Sequence, residues 1–163
     1  MSSQRVEPGP GQESVWDYPR PPRIEPTTRH LLVVMGGTTI ADTHQGHRVL
    51  ETSQPPAYYL DPADVRLDLL EPSTKRTFCE WKGQAAYFDV VVDGVRVEAA
   101  AWSYPAPTPA FDAIRGHISF YPQHLECSVD GEVVASNEGA FYGGWITSDI
   151  TGPFKGGPGT AHW

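Results

Sequence analysis

Between Thr77 and Tyr104 the chain gathers a thiol, a carboxylate, an amine and several large rings: Cys79, Glu80, Trp81, Lys82, Tyr87, Trp102 and Tyr104. Three kinds of chemistry could use them. A cation beside a cysteine raises thiol reactivity, but in an alternating strand positions 79 and 82 point to opposite faces unless a bulge at Gly83 re-aims them. A buried, inert Cys79 is the plainer expectation. Acid–base work needs carboxylates converging in a pocket. Glu51, Glu71 and Glu80 are candidates, among 20 acidic residues that mostly belong on the surface. The third option is binding. The runs Trp81-Lys82-Gly83 and Trp102-Ser103-Tyr104-Pro105 set amphipathic rings beside a cation, which suits a ligand pocket with a few orienting polar groups. Tyr58 and Tyr59 extend the ring set, with Arg66 and Glu51 as nearby polar candidates, although each ring taken singly reads equally well as core. Lysine is almost never buried without a pairing group, so Lys82 is expected to be held by Glu51 or Glu80.

Metal chemistry has weaker support. Cys79 and Cys127 lie far apart, and His44 and His47 sit in a Gly-bearing polar loop, whereas a structural zinc site wants four ligands in paired spacing. No metal and no cofactor are expected.

These side chains need elements to hold them. Residues Tyr87 to Val92 favour extended backbone, Asp93-Gly94 suits a type I′ hairpin turn, and Val95 and Val97 alternate with Arg96 and Glu98. Small residues in the return run AAAW leave room for something to pack beside Trp102. Two more Gly-tipped hairpins follow the same logic, Leu31–Ala41 around Gly36-Gly37 and Leu125–Val134 around Asp130-Gly131. One short helix is expected from the Asp61 cap, with Pro62 in the first turn, an apolar stripe of Val65, Leu69 and Leu70, and a stop at Pro72. A further helical turn at Ala110–Ile114 precedes a strand at His117–Tyr121. The fold class is mainly β, antiparallel, with one short helix.

Residues 1–14 read as a disordered tail and 15–163 as a single domain. Val15 to Pro26 forms a Pro-rich strap whose Trp16, Tyr18 and Ile24 favour docking on the domain itself. Gly139 to Thr160 is Gly-rich. It does not match a P-loop, and its glycines are read as letting backbone cross close to aromatic rings.

A net charge of −8 argues against a nucleic-acid backbone or an anionic membrane as main partner. No apolar run approaches the roughly 20 residues that span a bilayer, and the start lacks the apolar core of a signal peptide. With only two cysteines, a reduced, cytoplasmic setting is the expectation.

The successive runs YYLDPADV, FCEWKGQAAYFDVVVDG, AAAWSYPAPTPA and ISFYP resemble the domain-of-unknown-function family four-two-seven over roughly Leu31 to Tyr121. Nearly all the rest from Val15 resembles a longer form of that family, with its VWDYPRPPRIEP-like start and GPFKGGPGT-like end. The resemblance implies a β-tent-like arrangement, akin to zinc-bearing chaperone-like domains, methionine sulfoxide reductases and an aromatic-cage ligand binder. This chain lacks paired CxxC ligands, so no metal carries over. The family's nucleotidyltransferase-like label asks for a Gly-Gly turn followed by paired aspartates; Gly36-Gly37 is present and an Asp-x-Asp pair is not. By motif, the positions carried over are Tyr59, Cys79, Trp81, Lys82, Gly83, Tyr87, Trp102, Tyr104 and Pro105. The expected function is binding of a small molecule. An enzyme, using Cys79 thiol chemistry or nucleotidyl transfer, and a protein-interaction module using the strap are the alternatives.

Overall fold

The structure is a computed structural model that describes residues 5–136, 143–156, 160 and 163. Parts of the Gly-rich run, residues 139–142 and 157–159, lie outside the described residues, as do residues 1–4 of the tail.

The strands follow from the turn residues. In the N-terminal half they are β1 (Glu13–Ser14), β2 (Arg23–Thr27), β3 (Leu31–Met35), β4 (Thr38–Thr43), β5 (Gly46–Leu50) and β6 (Ala57–Leu60). The centre holds three long strands, β7 (Leu70–Cys79), β8 (Gly83–Val92) and β9 (Val95–Ser103). Short strands follow: β10 (Ser119–Phe120), β11 (Glu126–Val129), β12 (Glu132–Val133), β13 (Ala135–Ser136), β14 (Trp145–Ile146) and β15 (Ile150–Thr151). At the three expected hairpins both central residues have positive φ: Gly36 and Gly37 at 56° and 81°, Asp93 and Gly94 at 51° and 79°, Asp130 and Gly131 at 49° and 85°. That pattern is the one whose twist matches paired antiparallel strands.

Two four-stranded antiparallel sheets dominate, ordered β10-β9-β8-β7 and β12-β11-β3-β4. A three-stranded sheet, β2-β5-β6, lies beside them. The period of two then divides the molecule. Along β8 and β9, Val90, Val92 and Ala101 enter the main core with Leu31, Val33, Phe120 and Trp145. Ala85, Tyr87, Trp102 and Tyr104 point to the other face and form a second, aromatic cluster. Neighbouring residues of β6 split the same way, Tyr58 to the main core and Tyr59 to the aromatic cluster. One sheet thus has a core on one side and the candidate site on the other.

The helix expected after Asp61 is corrected. Asp61 does cap, accepting from the Ala63 N–H at 2.9 Å, but the segment makes two single 3-10 turns, Pro62–Asp64 and Leu67–Leu69. Leu70 then pairs with Val90 in β7, and the expected stop, Pro72, lies inside that strand. Proline is tolerated there because β7 is the edge of its sheet. Among the described residues the helix longer than one turn is Pro109–Ile114, a kinked 3-10 segment that buries Phe111 and Ile114 in the aromatic cluster.

The strap packs in cis: β2 pairs with β5 from Arg23↔Leu50 to Thr27↔Gly46, and Val15 and Tyr18 bury against Leu50 and Ile150. Within the stretch expected as a tail, several residues contact the C-terminal part of the chain. The Val6 N–H donates to the Gly152 carbonyl at 2.9 Å, and β1 pairs in parallel with β15, burying Ser14. Those backbone groups find partners only because the two ends of the chain meet. Among the described residues no helix is long and apolar enough to cross a membrane.

Candidate functional site

The β7–β8 hairpin sets the geometry of the site. The strand pairing closes at Cys79↔Gly83, so Glu80, Trp81 and Lys82 form the turn and not a continuing strand. Gly83 takes φ 104°, a conformation that suits glycine. The loop after β9 clamps this turn from outside: the Thr108 hydroxyl donates to the Trp81 carbonyl at 2.6 Å, and the Thr108 N–H to the Lys82 carbonyl at 3.1 Å. The expectation that positions 79 and 82 face apart is therefore overturned. Both side chains line one cavity.

That cavity has a volume of about 520 Å³, within the roughly 300–1,000 Å³ of small-molecule sites. Of the expected positions, Tyr59, Cys79, Trp81, Lys82, Tyr87, Trp102 and Tyr104 line it. Gly83 and Pro105 do not; they shape the turn and the loop behind it, the Pro105 carbonyl accepting from Arg115 at 3.4 Å. Tyr58 packs instead on Trp145, ring centroids 5.0 Å apart. Arg66 pairs outside with Asp68, and Glu71 with Arg96.

The rings interlock. Trp102 Nε1 donates to the Tyr59 hydroxyl at 3.2 Å, with the two rings edge to face at 87°. Trp102 also lies 4.6 Å from Tyr121, centroid to centroid, and Tyr59 6.2 Å from Tyr104. Thr77 and Tyr87 share a hydrogen bond at 3.0 Å between their hydroxyls. Burial pushes the phenols of Tyr59, Tyr104 and Tyr121 above their usual range, so they stay neutral. For Tyr104 the nearby Lys82 pulls the other way and is outweighed by burial.

Lys82 is only 9% exposed, and its ammonium stands 5.7 Å from the centre of the Tyr104 ring. The carboxylate expected to hold it is absent: among the described residues Lys82 makes no ion pair within 4.0 Å. Glu51 lines the cavity but is engaged by Arg20 at 3.4 Å. Glu80 is exposed at the rim.

Sequence reasoning missed part of the lining, namely Tyr121, Thr77, Phe78, Gln54, Pro55, Ala57, Gly143, Gly144 and Lys155. Tyr121 stood in the ISFYP run and could have been taken from it. The glycines do what was expected of the Gly-rich segment: a Cβ on Gly143 would come within 2.3 Å of Trp102 Cη2, and one on Gly144 within 2.7 Å of the Pro55 carbonyl oxygen. Backbone closes over the indole where no side chain would fit. His44 stacks on His30, with centroids 4.8 Å apart, and His47 meets His117 edge to face. Among the described residues, no group of three His, Cys, Asp or Glu side chains is placed to hold a metal ion.

Comparison with curated proteins finds no match. A family described as Domain of unknown function (DUF427) matches residues 23–135. That span carries the turn at Glu80–Lys82 and the rings from Tyr59 to Tyr121, while Gly143, Gly144 and Lys155 close the cavity from beyond it. The chain belongs to the DUF427 family.

Proposed function

We propose that this domain binds a small, flat organic anion in the aromatic cavity, with Trp81, Trp102 and Tyr104 as walls and Lys82 as the polar anchor. The observation that carries this reading is the Lys82 side chain, nearly buried on the cavity wall with no carboxylate beside it among the described residues. With its stem packed and its charge on the wall of a low-dielectric cleft, an ammonium that has no counter-charge among the described residues attracts an anionic ligand. The rings supply flat apolar surface at little cost in conformational entropy. The Tyr59 phenol is committed to Trp102 and that of Tyr87 to Thr77, so these rings stiffen the walls while Lys82 supplies the charge on the Tyr104 side of the cavity.

The same reading includes a β-tent-like arrangement of the antiparallel sheets, supported by the three Gly-tipped hairpins and the two four-stranded sheets. It also takes the compartment to be the reducing cytoplasm, in keeping with two unpaired cysteines. Nucleic acid and membrane are not its partners, given a net charge of −8.

A screen of aromatic and heteroaromatic carboxylates and phosphates by intrinsic tryptophan fluorescence tests the proposal. A ligand found this way should bind at least about ten-fold more weakly to Trp81→Ala or to Trp102→Ala, since burying flat ring surface is worth more than about 1.4 kcal/mol. Unchanged affinity in both variants would place the ligand elsewhere.

A further inference from the structure

Cys79 shares the cavity with Lys82, and the proposed function makes no use of it. It is a free thiol, part-exposed, packed against the aromatic cluster that contains Tyr59, Tyr87 and Tyr104. The other cysteine offers a built-in contrast. Cys127 is 1% exposed in the main core, its Sγ directed at the Leu125 carbonyl at 3.8 Å, and burial pushes its thiol well above the usual range. A lone cysteine at a surface would carry nothing. Here the same cavity is lined by Lys82, a residue only 9% exposed whose ammonium has no carboxylate partner among the described residues, so the cavity offers both a cation for a negative group and a sulfur nucleophile.

We infer that Cys79 is a thiol–disulfide exchange site for low-molecular-weight disulfides that bear a carboxylate, with Lys82 holding the carboxylate while Cys79 Sγ attacks. This rests on the anion-binding reading of the same cavity. In the step, the Cys79 thiol gives its proton to solvent and its sulfur attacks one sulfur of the incoming disulfide. The ligand's S–S bond breaks, a bond between Cys79 Sγ and that sulfur forms, and the other half leaves as a thiolate that takes up a proton. Cys79 is oxidised and the leaving half is reduced; the small disulfide is the oxidant. Cys127 belongs to the main core and Cys79 to the aromatic cluster, so no resolving thiol completes an internal disulfide. The product is a mixed disulfide that persists until an external thiol attacks it.

The experiment uses the full chain and two coloured disulfide probes. Dithiobis-nitrobenzoate carries a carboxylate on each aromatic ring; dithiodipyridine is aromatic and uncharged. The anionic probe should label the wild type roughly ten-fold faster than Lys82→Met, the scale of electrostatic focusing in a cleft, while the neutral probe, which reports only the effect of the charge on the thiol itself, should lose much less. Mass spectrometry should place the adduct on Cys79, with Cys127 unmodified in the native protein and Cys79→Ser unreactive. Free nitrobenzoate should slow labelling of the wild type, a readout that needs no variant. Equal rates for the anionic probe in wild type and Lys82→Met, or an adduct on Cys127, would overturn the inference. Titrating nitrobenzoate into Cys79→Ser separates the two readings. Binding there, with Cys79 inert in the wild type, removes the exchange chemistry alone; no binding and no labelling removes both.

Discussion

Trp102 and Tyr59, 43 residues apart in the chain, meet at right angles, and the indole N–H donates to the phenol oxygen at 3.2 Å. Tyr59 is 1% exposed and Trp102 7%, so this bond is made almost out of reach of water. It ties β6 to β9 and fixes the back wall of the cavity. Tyr59→Phe keeps the ring and removes the acceptor, leaving a buried indole N–H without its partner. The expected loss is about 1–3 kcal/mol, read as a lower urea midpoint at unchanged slope. An unchanged midpoint would mean that the bond contributes no net stability.

Gly143 tests how tightly the cavity is closed. A methyl group there must share space with the six-membered ring of Trp102, at 2.3 and 2.7 Å from two ring carbons, and lies 3.2 Å from Tyr121. Gly143→Ala is expected to cost about 1–3 kcal/mol by overpacking and to change the near-ultraviolet circular dichroism, since the indole must move. A variant with native stability and native spectrum would show that the closing segment is free to lift away.

His47 gives the protein a pH dependence in the weakly acidic range. Burial lowers its pKa from 6.5, the neighbouring His117 lowers it further, and Asp61 opposes both. Its Nδ1 is buried without a hydrogen-bond partner. The folded-state pKa lies below the unfolded one, so the unfolded chain takes up the proton more readily. The contribution to stability is present above pH 6.5 and is lost as the pH falls through that value toward the folded-state pKa. Urea titrations between about pH 7 and pH 5 should show stability falling with pH, and His47→Gln should flatten that slope. A slope unaltered in His47→Gln would assign the titration to other groups.

What the sequence made legible was local. Asp93-Gly94, Gly36-Gly37 and Asp130-Gly131 announce their hairpins because the turn conformation depends on two adjacent residues and little else. The ring set around Trp81 and Trp102 was legible for a related reason: alternation along β8 and β9 fixes which residues share a face. The segment from Asp61 to Pro72 misled because its capping signals are real, while the choice between helix and strand was made by pairing with β8, 20 residues away at Leu70↔Val90. Along β7 the outward residues Thr74, Lys75 and Arg76 are exposed, so no apolar alternation marks the strand. Cys79 and Lys82 on one wall depend on where a strand ends, and Gly143 on Trp102 depends on a contact 41 residues apart. Neither is written in local pattern.

The central claim is that Lys82, which makes no ion pair among the described residues, makes this cavity an anion site, and Lys82→Met tests it most directly. Methionine keeps an unbranched apolar stem of similar reach, so the packing along the stem persists while the charge goes. Calorimetric titration of an aromatic carboxylate identified in the fluorescence screen should show binding to the wild type and at least about a ten-fold loss in Lys82→Met, a difference of about 1.4 kcal/mol. The corresponding uncharged amide should bind both proteins alike, and thermal stability should be no lower in the variant. Equal affinity of the carboxylate for wild type and Lys82→Met, with both folded, would contradict the account.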